Sequence, residues 1–246
     1  RRPRPWQLDP YPRYNDPTSI WKGNPALEPE YVNSWELNYM KSFGQNFFAL
    51  ETYYRKTLND ITRIVEYIEE DDVTLSTFGN LNEKHDLGTE AVINFNLVKW
   101  WNIMASANVF RQRIDATNID SKVQTANSWR AKFDNSFTLK WGTRIQLSSR
   151  YYGPSIRAQG YRKEFFMANL GIRQDFFNRK LILTLTARDI FQTQRREDII
   201  ETADQYIINR RKARSPIFGI SLSYAINNSK QRGSDEIQMD FSEGGF

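Results

Sequence analysis

The feature that most constrains this chain is an alternation of apolar and polar residues sustained over stretches of about ten residues. The clearest stretch has apolar residues at Trp129, Ala131, Phe133, Phe137 and Leu139, with Arg130, Lys132, Asp134, Ser136 and Thr138 between them. Successive side chains of a β-strand point to opposite faces of its sheet. The stretch therefore predicts a strand with one apolar and one charged face.

The same alternation recurs along most of the chain. Its apolar members run from Leu87 to Leu97, Ile103 to Val109, Leu181 to Ala187, and Phe218 to Tyr224. Val92 and Ile182 interrupt it by placing apolar residues among the polar ones. We therefore predict an all-β protein whose strands share the same two-faced character.

Short and long connections alternate between these strands. Short turns are predicted near Gly44, Lys99, Trp141 and Asn178, and long polar stretches near residues 58–84, 114–125, 154–162 and 193–215. Antiparallel strands joined in this way place the short turns at one edge of the sheet and the long loops at the other. That polarity is typical of a bacterial transmembrane β-barrel.

Aromatic residues cluster near both predicted strand ends. Six lie at or beside the short turns: Phe43, Trp100, Trp101, Trp141, Phe176 and Phe177. Eight lie towards the long loops: Tyr53, Tyr54, Phe110, Tyr151, Tyr152, Phe165, Phe166 and Phe191. We predict that the two groups form aromatic girdles at the two membrane interfaces.

Composition narrows the fold classes. The 246 residues are 39% hydrophobic, which is too apolar for disorder, and no apolar run approaches the roughly 20 residues that a transmembrane helix needs. A membrane crossing would therefore use strands. A soluble β-sandwich also has alternating strands, but they are usually only about 5 to 6 residues long. About nine strands are predicted, and since bacterial single-chain barrels have even numbers, we expect this chain to form part of a larger barrel.

Enzyme chemistry and bound cofactors are not expected. The chain has no cysteine, and His85 is its only histidine, so a cysteine-containing metal site or a histidine-dependent triad is disfavoured. The acidic run from Glu69 to Asp72 is interpreted as a solvated loop, with calcium binding as the alternative. The net charge of +5 is dispersed and no nucleic-acid partner is expected. The one local basic run, from Arg210 to Arg214, predicts a solvated loop or a contact with anionic lipid headgroups.

Several motifs together resemble a known family. They are Asn24 to Glu30 (NPALEPE), Ser34 to Tyr39 (SWELNY), Tyr53 to Lys56 (YYRK), Ala187 to Phe191 (ARDIF) and the closing Gly219 to Tyr224 (GISLSY). In this order they resemble the C-terminal barrel of TonB-dependent outer-membrane receptors of the Bacteroidota type. The last motif resembles the signal on a final strand that directs barrel assembly.

The resemblance implies a 22-stranded antiparallel transmembrane barrel, closed by an N-terminal plug and energised by TonB, of which this chain would hold about the last nine strands. The plug and the TonB-contacting segment have no counterpart in the chain. Residues 1–30 would be an extracellular loop of irregular structure, residues 31–227 the C-terminal part of the barrel, and residues 228–246 a flexible periplasmic tail. The expected surroundings are outer-membrane lipid and lipopolysaccharide, with a surface lipoprotein or another outer-membrane subunit as a further partner.

Charged residues on the polar faces are the candidate site. They are Glu51, Glu90, Arg130, Lys132, Asp134, Arg144, Arg150, Arg173 and Arg188. Such a wall can contact a plug or a polar substrate. The predicted function is energised uptake of a scarce solute. The alternatives are a non-transporting barrel in an outer-membrane assembly and a soluble carbohydrate-binding β-domain.

Overall fold

The computed structural model describes residues 1–119 and 121–226, and these residues are almost entirely β-structure. The elements are a short helix α1 (Pro5–Leu8), a 3₁₀ turn (Thr117–Ile119) and the strands β1 (Arg13–Asp16), β2 (Ser19–Trp21), β3 (Tyr31–Phe43), β4 (Asn46–Leu58), β5 (Ile61–Ile68), β6 (Val73–Asn80), β7 (Glu83–Val98), β8 (Trp101–Asp115), β9 (Gln124–Thr138), β10 (Thr143–Tyr152), β11 (Ser155–Arg157), β12 (Gly160–Arg162), β13 (Phe165–Phe176), β14 (Leu181–Arg188), β15 (Arg195–Glu201), β16 (Tyr206–Lys212) and β17 (Ile217–Tyr224).

Nine long strands form one main sheet. Their order is β17-β14-β13-β10-β9-β8-β7-β4-β3, and every neighbouring pair is antiparallel. Strands β3 and β17 lie at the two edges and do not pair with each other, so the sheet is open. The prediction of an all-β antiparallel architecture is confirmed, and the main sheet has the predicted nine strands.

Strand register sorts the side chains of the main sheet into two faces. Val109 lies opposite Thr89 and Trp129, whereas Asn108 lies opposite Glu90 and Arg130. Because directly paired residues point to the same side of a sheet, the predicted apolar and charged sets each form one continuous face.

No part of the chain that the structure describes covers the apolar face. Leu37 on β3 is 75% exposed and Ile220 on β17 is 78% exposed. A soluble β-sandwich buries such a face against a second sheet. The β-sandwich alternative is therefore wrong, and the face requires an apolar environment outside the described part of the chain.

The connections follow the predicted asymmetry. Short turns join β3 to β4, β7 to β8, β9 to β10, and β13 to β14, and all of them lie at one edge. The last of these turns has three successive residues with positive φ, Phe177 at 52°, Asn178 at 52° and Arg179 at 67°. The segments between β4 and β7, β8 and β9, β10 and β13, and β14 and β17 lie at the opposite, long-loop edge.

The long-loop segments form two small four-stranded sheets, ordered β1-β2-β6-β5 and β11-β12-β15-β16. The prediction that residues 1–30 are irregular is therefore wrong, because they contain α1, β1 and β2. Strand β2 pairs in parallel with β6, with Ser19 opposite Thr74. Strands of three or four residues are too short to show periodicity, and this partner lies more than 50 residues away.

Packing between the long-loop segments is specific. A small core contains Leu81, Ile114, Ala116 and Ala158. The side-chain amide of Gln159 also joins the two small sheets: Val65 N donates to its Oε1 at 2.7 Å, and its Nε2 donates to Val65 O at 3.0 Å. These contacts give the loops a defined structure at one end of the main sheet.

Among the described residues, no helix is long and apolar enough to cross a membrane. The predicted tail, residues 228–246, lies outside the described residues.

Candidate functional site

All nine candidate charged residues lie on the polar face of the main sheet. The register connects them in rows: Glu51 opposite Glu90, Lys132 opposite Arg150, and Arg144 opposite Arg173, while Arg130, Asp134 and Arg188 lie opposite Tyr152, Ser148 and Ile217. The residues extend from β4 to β14 and do not converge on one point. Their contact with a plug or substrate stays a prediction.

Like charges lie directly opposite each other at several points on this face, although Arg55 also contacts Glu51 at 3.8 Å on β4. Glu51 and Glu90 form a directly opposed acidic pair on β4 and β7. Lys132 with Arg150 forms a directly opposed basic pair on β9 and β10. Like charges in this arrangement repel each other. The sequence showed only a mixture of charges, because the direct opposition of like charges depends on which strands are neighbours.

A third like-charge pair, Arg144 with Arg173, lies near the short-turn edge. Arg173 is buried and its Nε contacts Asp175 at 2.8 Å, which compensates part of the repulsion. Lys132 is compensated in the same way by Asp134 at 2.9 Å. Within residues 1–119 and 121–226, Arg144, Arg150 and Arg188 form no such ion pair.

Aromatic side chains form part of the polar face beside these charges. Tyr53 donates its hydroxyl to Asn108 Oδ1 at 3.1 Å, and Asn108 Nδ2 donates to Glu90 at 3.2 Å. The guanidinium of Arg130 lies 5.0 Å from the centre of the Phe110 ring. Tyr53 and Phe110 are both buried.

The predicted girdle near the long loops is therefore wrong for four of its eight residues. Tyr53, Phe110, Tyr152 and Phe165 point to the polar face, since Tyr53 and Phe110 both lie opposite Gly88, and Tyr152 lies opposite Arg130 and Phe165. These four residues were assigned to the girdle because they lie near strand ends. Side chains alternate between the two faces along a strand, and this alternation places the four residues on the polar face.

The apolar face carries a different set of rings at this level. They form three stacked pairs: Trp35 with Tyr54 at 5.5 Å, Trp129 with Tyr151 at 4.1 Å, and Phe166 with Phe191 at 6.3 Å. Trp35 and Trp129 were missed as members of this girdle. The alternation of apolar and polar residues could have identified both, because each lies at an apolar position of its strand.

His85 belongs to a polar cluster on the apolar side of the sheet, towards the long loops. Its Nδ1 contacts the hydroxyl of Tyr54 at 2.7 Å and its Nε2 lies 3.0 Å from Glu83. The carboxylate of Glu83 also contacts Lys56 at 2.9 Å and Arg113 at 3.1 Å. The described residues contain no group of three or more His, Cys, Asp or Glu side chains that could hold a metal ion. Within the run considered for calcium, Asp72 accepts a hydrogen bond from Tyr67 at 2.7 Å.

Ion pairs also order the second small sheet. Lys163 contacts Glu197 at 2.5 Å and Arg210 contacts the same carboxylate at 3.0 Å. The hydrogen bond from Lys163, together with that from Arg210, lowers the pKa of Glu197, and the same bond raises the pKa of Lys163. The basic run begins on β16, so the prediction of a loop is wrong for Arg210, Arg211 and Lys212.

Sequence comparison identifies the fold family. The model of an outer membrane protein beta-barrel family matches residues 1–224. The chain belongs to this family. No curated protein and no solved structure gave a match.

Membership of the outer membrane protein beta-barrel family explains the uncovered apolar face. Proteins of this family reside in the bacterial outer membrane, so the predicted localisation is confirmed. In that setting, lipid replaces the second protein layer that Leu37 and Ile220 lack.

The family match includes the NPALEPE segment, Asn24 to Glu30. In this outer-membrane barrel protein, hydrogen bonds hold that segment against β6. Asn24 donates to Phe78 O at 3.0 Å. Asn80 accepts from Glu28 N at 2.9 Å and donates to Glu28 O at 3.0 Å and to Asn59 O at 2.8 Å. The segment therefore leads into β3 along a fixed path.

Proposed function

We propose that this chain is part of a TonB-dependent receptor that imports a scarce solute across the outer membrane. The observation that carries the proposal is the charged polar face that continues across the main sheet. A face of this kind requires water, solute or a polar protein segment beside it, because uncompensated charge is expensive to bury. A transport barrel with a plug provides such an interior.

Closure of the barrel is part of the proposal. Strands β3 and β17 are both edge strands, and all residues of β3 are exposed. Unpaired backbone groups are strongly disfavoured within a bilayer. We propose that further strands pair with both edges and complete a 22-stranded barrel, with an N-terminal plug inside it that couples to TonB.

The proposed orientation places the long loops outside the cell and the short turns in the periplasm, as is usual for outer-membrane barrels. In this orientation, Lys56 and Arg113 lie on the lipid side, on the extracellular side of the ring pair formed by Trp35 and Tyr54. Their ammonium and guanidinium groups would contact headgroups of outer-membrane lipid and lipopolysaccharide.

A second candidate function is a structural or interaction subunit of an outer-membrane assembly. The observation in its favour is an ordered loop surface with exposed tyrosines, Tyr11 at 75%, Tyr14 at 69% and Tyr206 at 62% exposure. Tyrosine is common in protein interfaces. A surface lipoprotein or another outer-membrane subunit would be the partner. Neither candidate function assigns the chain a catalytic role or a cofactor.

The experiment compares solute uptake by cells that carry the full-length protein, with and without TonB. Solutes released from the purified protein are identified by mass spectrometry and supplied in labelled form. The receptor proposal predicts uptake that requires TonB and is abolished when the plug is deleted. Uptake that persists after plug deletion and without TonB contradicts it. Stable co-purification with other proteins, without any solute dependence, favours the assembly function.

A further inference from the structure

Three cations lie close together at the centre of the basic part of the polar face. Lys132 on β9 lies directly opposite Arg150 on β10, and Arg130 lies two residues from Lys132 on the same side of β9. A spacing of two residues along a strand is about 6.6 Å, and directly opposed Cβ atoms are about 5 Å apart. The three side chains can therefore reach a single small group.

The local counter-charge is incomplete. Asp134 contacts Lys132 at 2.9 Å and also accepts a hydrogen bond from Ser148. Arg130 contacts the ring of Phe110 at 5.0 Å rather than a carboxylate. Within the described ranges 1–119 and 121–226, Arg150 has no ion-pair partner. One carboxylate thus faces three cations, and the sheet retains a like-charge pair that disfavours its own folding.

The acidic part of the same face restricts where an anion can bind. Glu90 lies opposite Asn108, which lies opposite Arg130, so the two charges are separated by two strand spacings. That separation is about 10 Å. Glu51 lies beside Glu90. Arg55 contacts Glu51 at 3.8 Å and offsets part of this negative charge. The remaining acidic charge makes β9 and β10 the more favourable side for an anion inside the barrel.

We infer that Arg130, Lys132 and Arg150 form a binding site for a carboxylate- or phosphate-bearing solute. The inference rests on the proposed transport function and specifies the substrate class for that function. Guanidinium groups bind both kinds of anion through two parallel hydrogen bonds. Spacings of about 5 to 6.6 Å between neighbouring members of the cluster allow the three side chains to surround one phosphate or two carboxylates.

Binding is measured on the full-length protein in detergent at low salt, with inorganic phosphate and citrate as the anionic probes and glucose as the uncharged probe. The inference predicts saturable binding of at least one anion and none of glucose. Arg150→Gln should weaken anion binding about tenfold, since a hydrogen bond to a charged group is lost. Arg150→Lys should restore part of the affinity because it retains the charge. Glu90→Gln should strengthen binding by about twofold through reduced repulsion.

Lys140→Gln is the matched control, because it removes one positive charge at an exposed position beside a short turn. It should leave anion binding unchanged. Equal weakening by Lys140→Gln and Arg150→Gln would overturn the inference. The absence of phosphate and citrate binding to the unmodified protein would also overturn it. If Arg150→Gln then makes the barrel less heat-resistant, the partner of the cluster is an acidic protein segment.

The two proposals fail in different ways. If anions bind with the predicted variant pattern but cells show no TonB-dependent uptake, the transport function is wrong and the anion site remains. If uptake requires TonB but anion binding does not depend on Arg150, the anion site is wrong and the transport function remains.

Discussion

The phenol ring of Tyr53 lies directly over Gly88 on the polar face of the sheet. A Cβ atom added at Gly88 would lie 2.6 Å from the Tyr53 hydroxyl oxygen and 2.7 Å from Phe110 Cβ. The glycine therefore leaves room above β7 for two aromatic side chains, Tyr53 from β4 and Phe110 from β8. The position of the ring over Gly88 also allows the Tyr53 hydroxyl to donate its hydrogen bond to Asn108.

Gly88→Ala should destabilise the barrel by about 1 to 3 kcal/mol, because the added methyl group overpacks a well-filled site. The free energy of unfolding is measured by urea titration in detergent. The double variant Gly88→Ala with Tyr53→Ala should lose less stability than the sum of the two single variants, because the clash with the ring is removed. Strict additivity would contradict the proposed contact.

Asn80→Ala should loosen the N-terminal segment, because it removes the side chain that hydrogen-bonds both backbone groups of Glu28 and the carbonyl of Asn59. We expect faster amide hydrogen exchange across residues 1–30 and little change in the main sheet. Asn33→Ala is the control, since Asn33 lies on the exposed edge strand β3. Equal effects of the two substitutions would mean that Asn80 is not an anchor.

Asp60 should make the stability of the protein depend on pH. Burial raises the pKa of Asp60, so the folded state binds its proton more tightly than the unfolded state. The charged form disfavours folding at neutral pH, and this penalty disappears as the pH falls through the raised folded pKa. Asp60→Asn should therefore raise the melting temperature at pH 7, and the difference from wild type should vanish below the ordinary aspartate pKa of about 3.9. A variant that is less stable at pH 7 would show that the carboxylate is favourable.

Adjacent positions on β17 should respond differently to a new charge. Ile220 lies opposite Leu185 on the apolar face, whereas Ser221 lies opposite Thr184 on the polar face. Ile220→Arg should destabilise the protein by about 2 to 4 kcal/mol if it meets the centre of the bilayer, and Ser221→Arg should cost much less. Folding into liposomes under urea provides the measurement. Similar losses for both variants would contradict the assignment of the faces.

The main sheet was predictable because strand periodicity is a local signal. The alternation around Trp129 correctly predicted the two faces of the sheet. The short turns correctly predicted which strand ends lie together at one edge. Strand β2 was not predictable, because it has three residues and its partner β6 is distant in sequence. The eight-residue strand β6 was missed although Val73 and Leu75 alternate with Thr74 and Ser76.

The candidate site was predictable only in part. The alternation along each strand correctly predicted that Lys132 and Arg150 lie on the polar face. Their direct opposition depends on the register between β9 and β10. The same limitation explains the error at Tyr53 and Phe110, which were grouped by distance from a strand end. A single sequence does not report strand register.

The most direct test is a lipid-quenching scan of single cysteine variants. These 246 residues contain no cysteine, and any cysteine elsewhere in the full-length protein is first replaced by serine. A fluorophore is attached in turn at Phe218, Ile220 and Leu222 and at Ser221 and Ser223 in the full-length protein, which is then reconstituted with lipids carrying nitroxide on their acyl chains. We expect strong quenching at the first three positions and weak quenching at the two serines. Equal quenching at neighbouring positions would contradict a two-faced sheet whose apolar side meets the membrane.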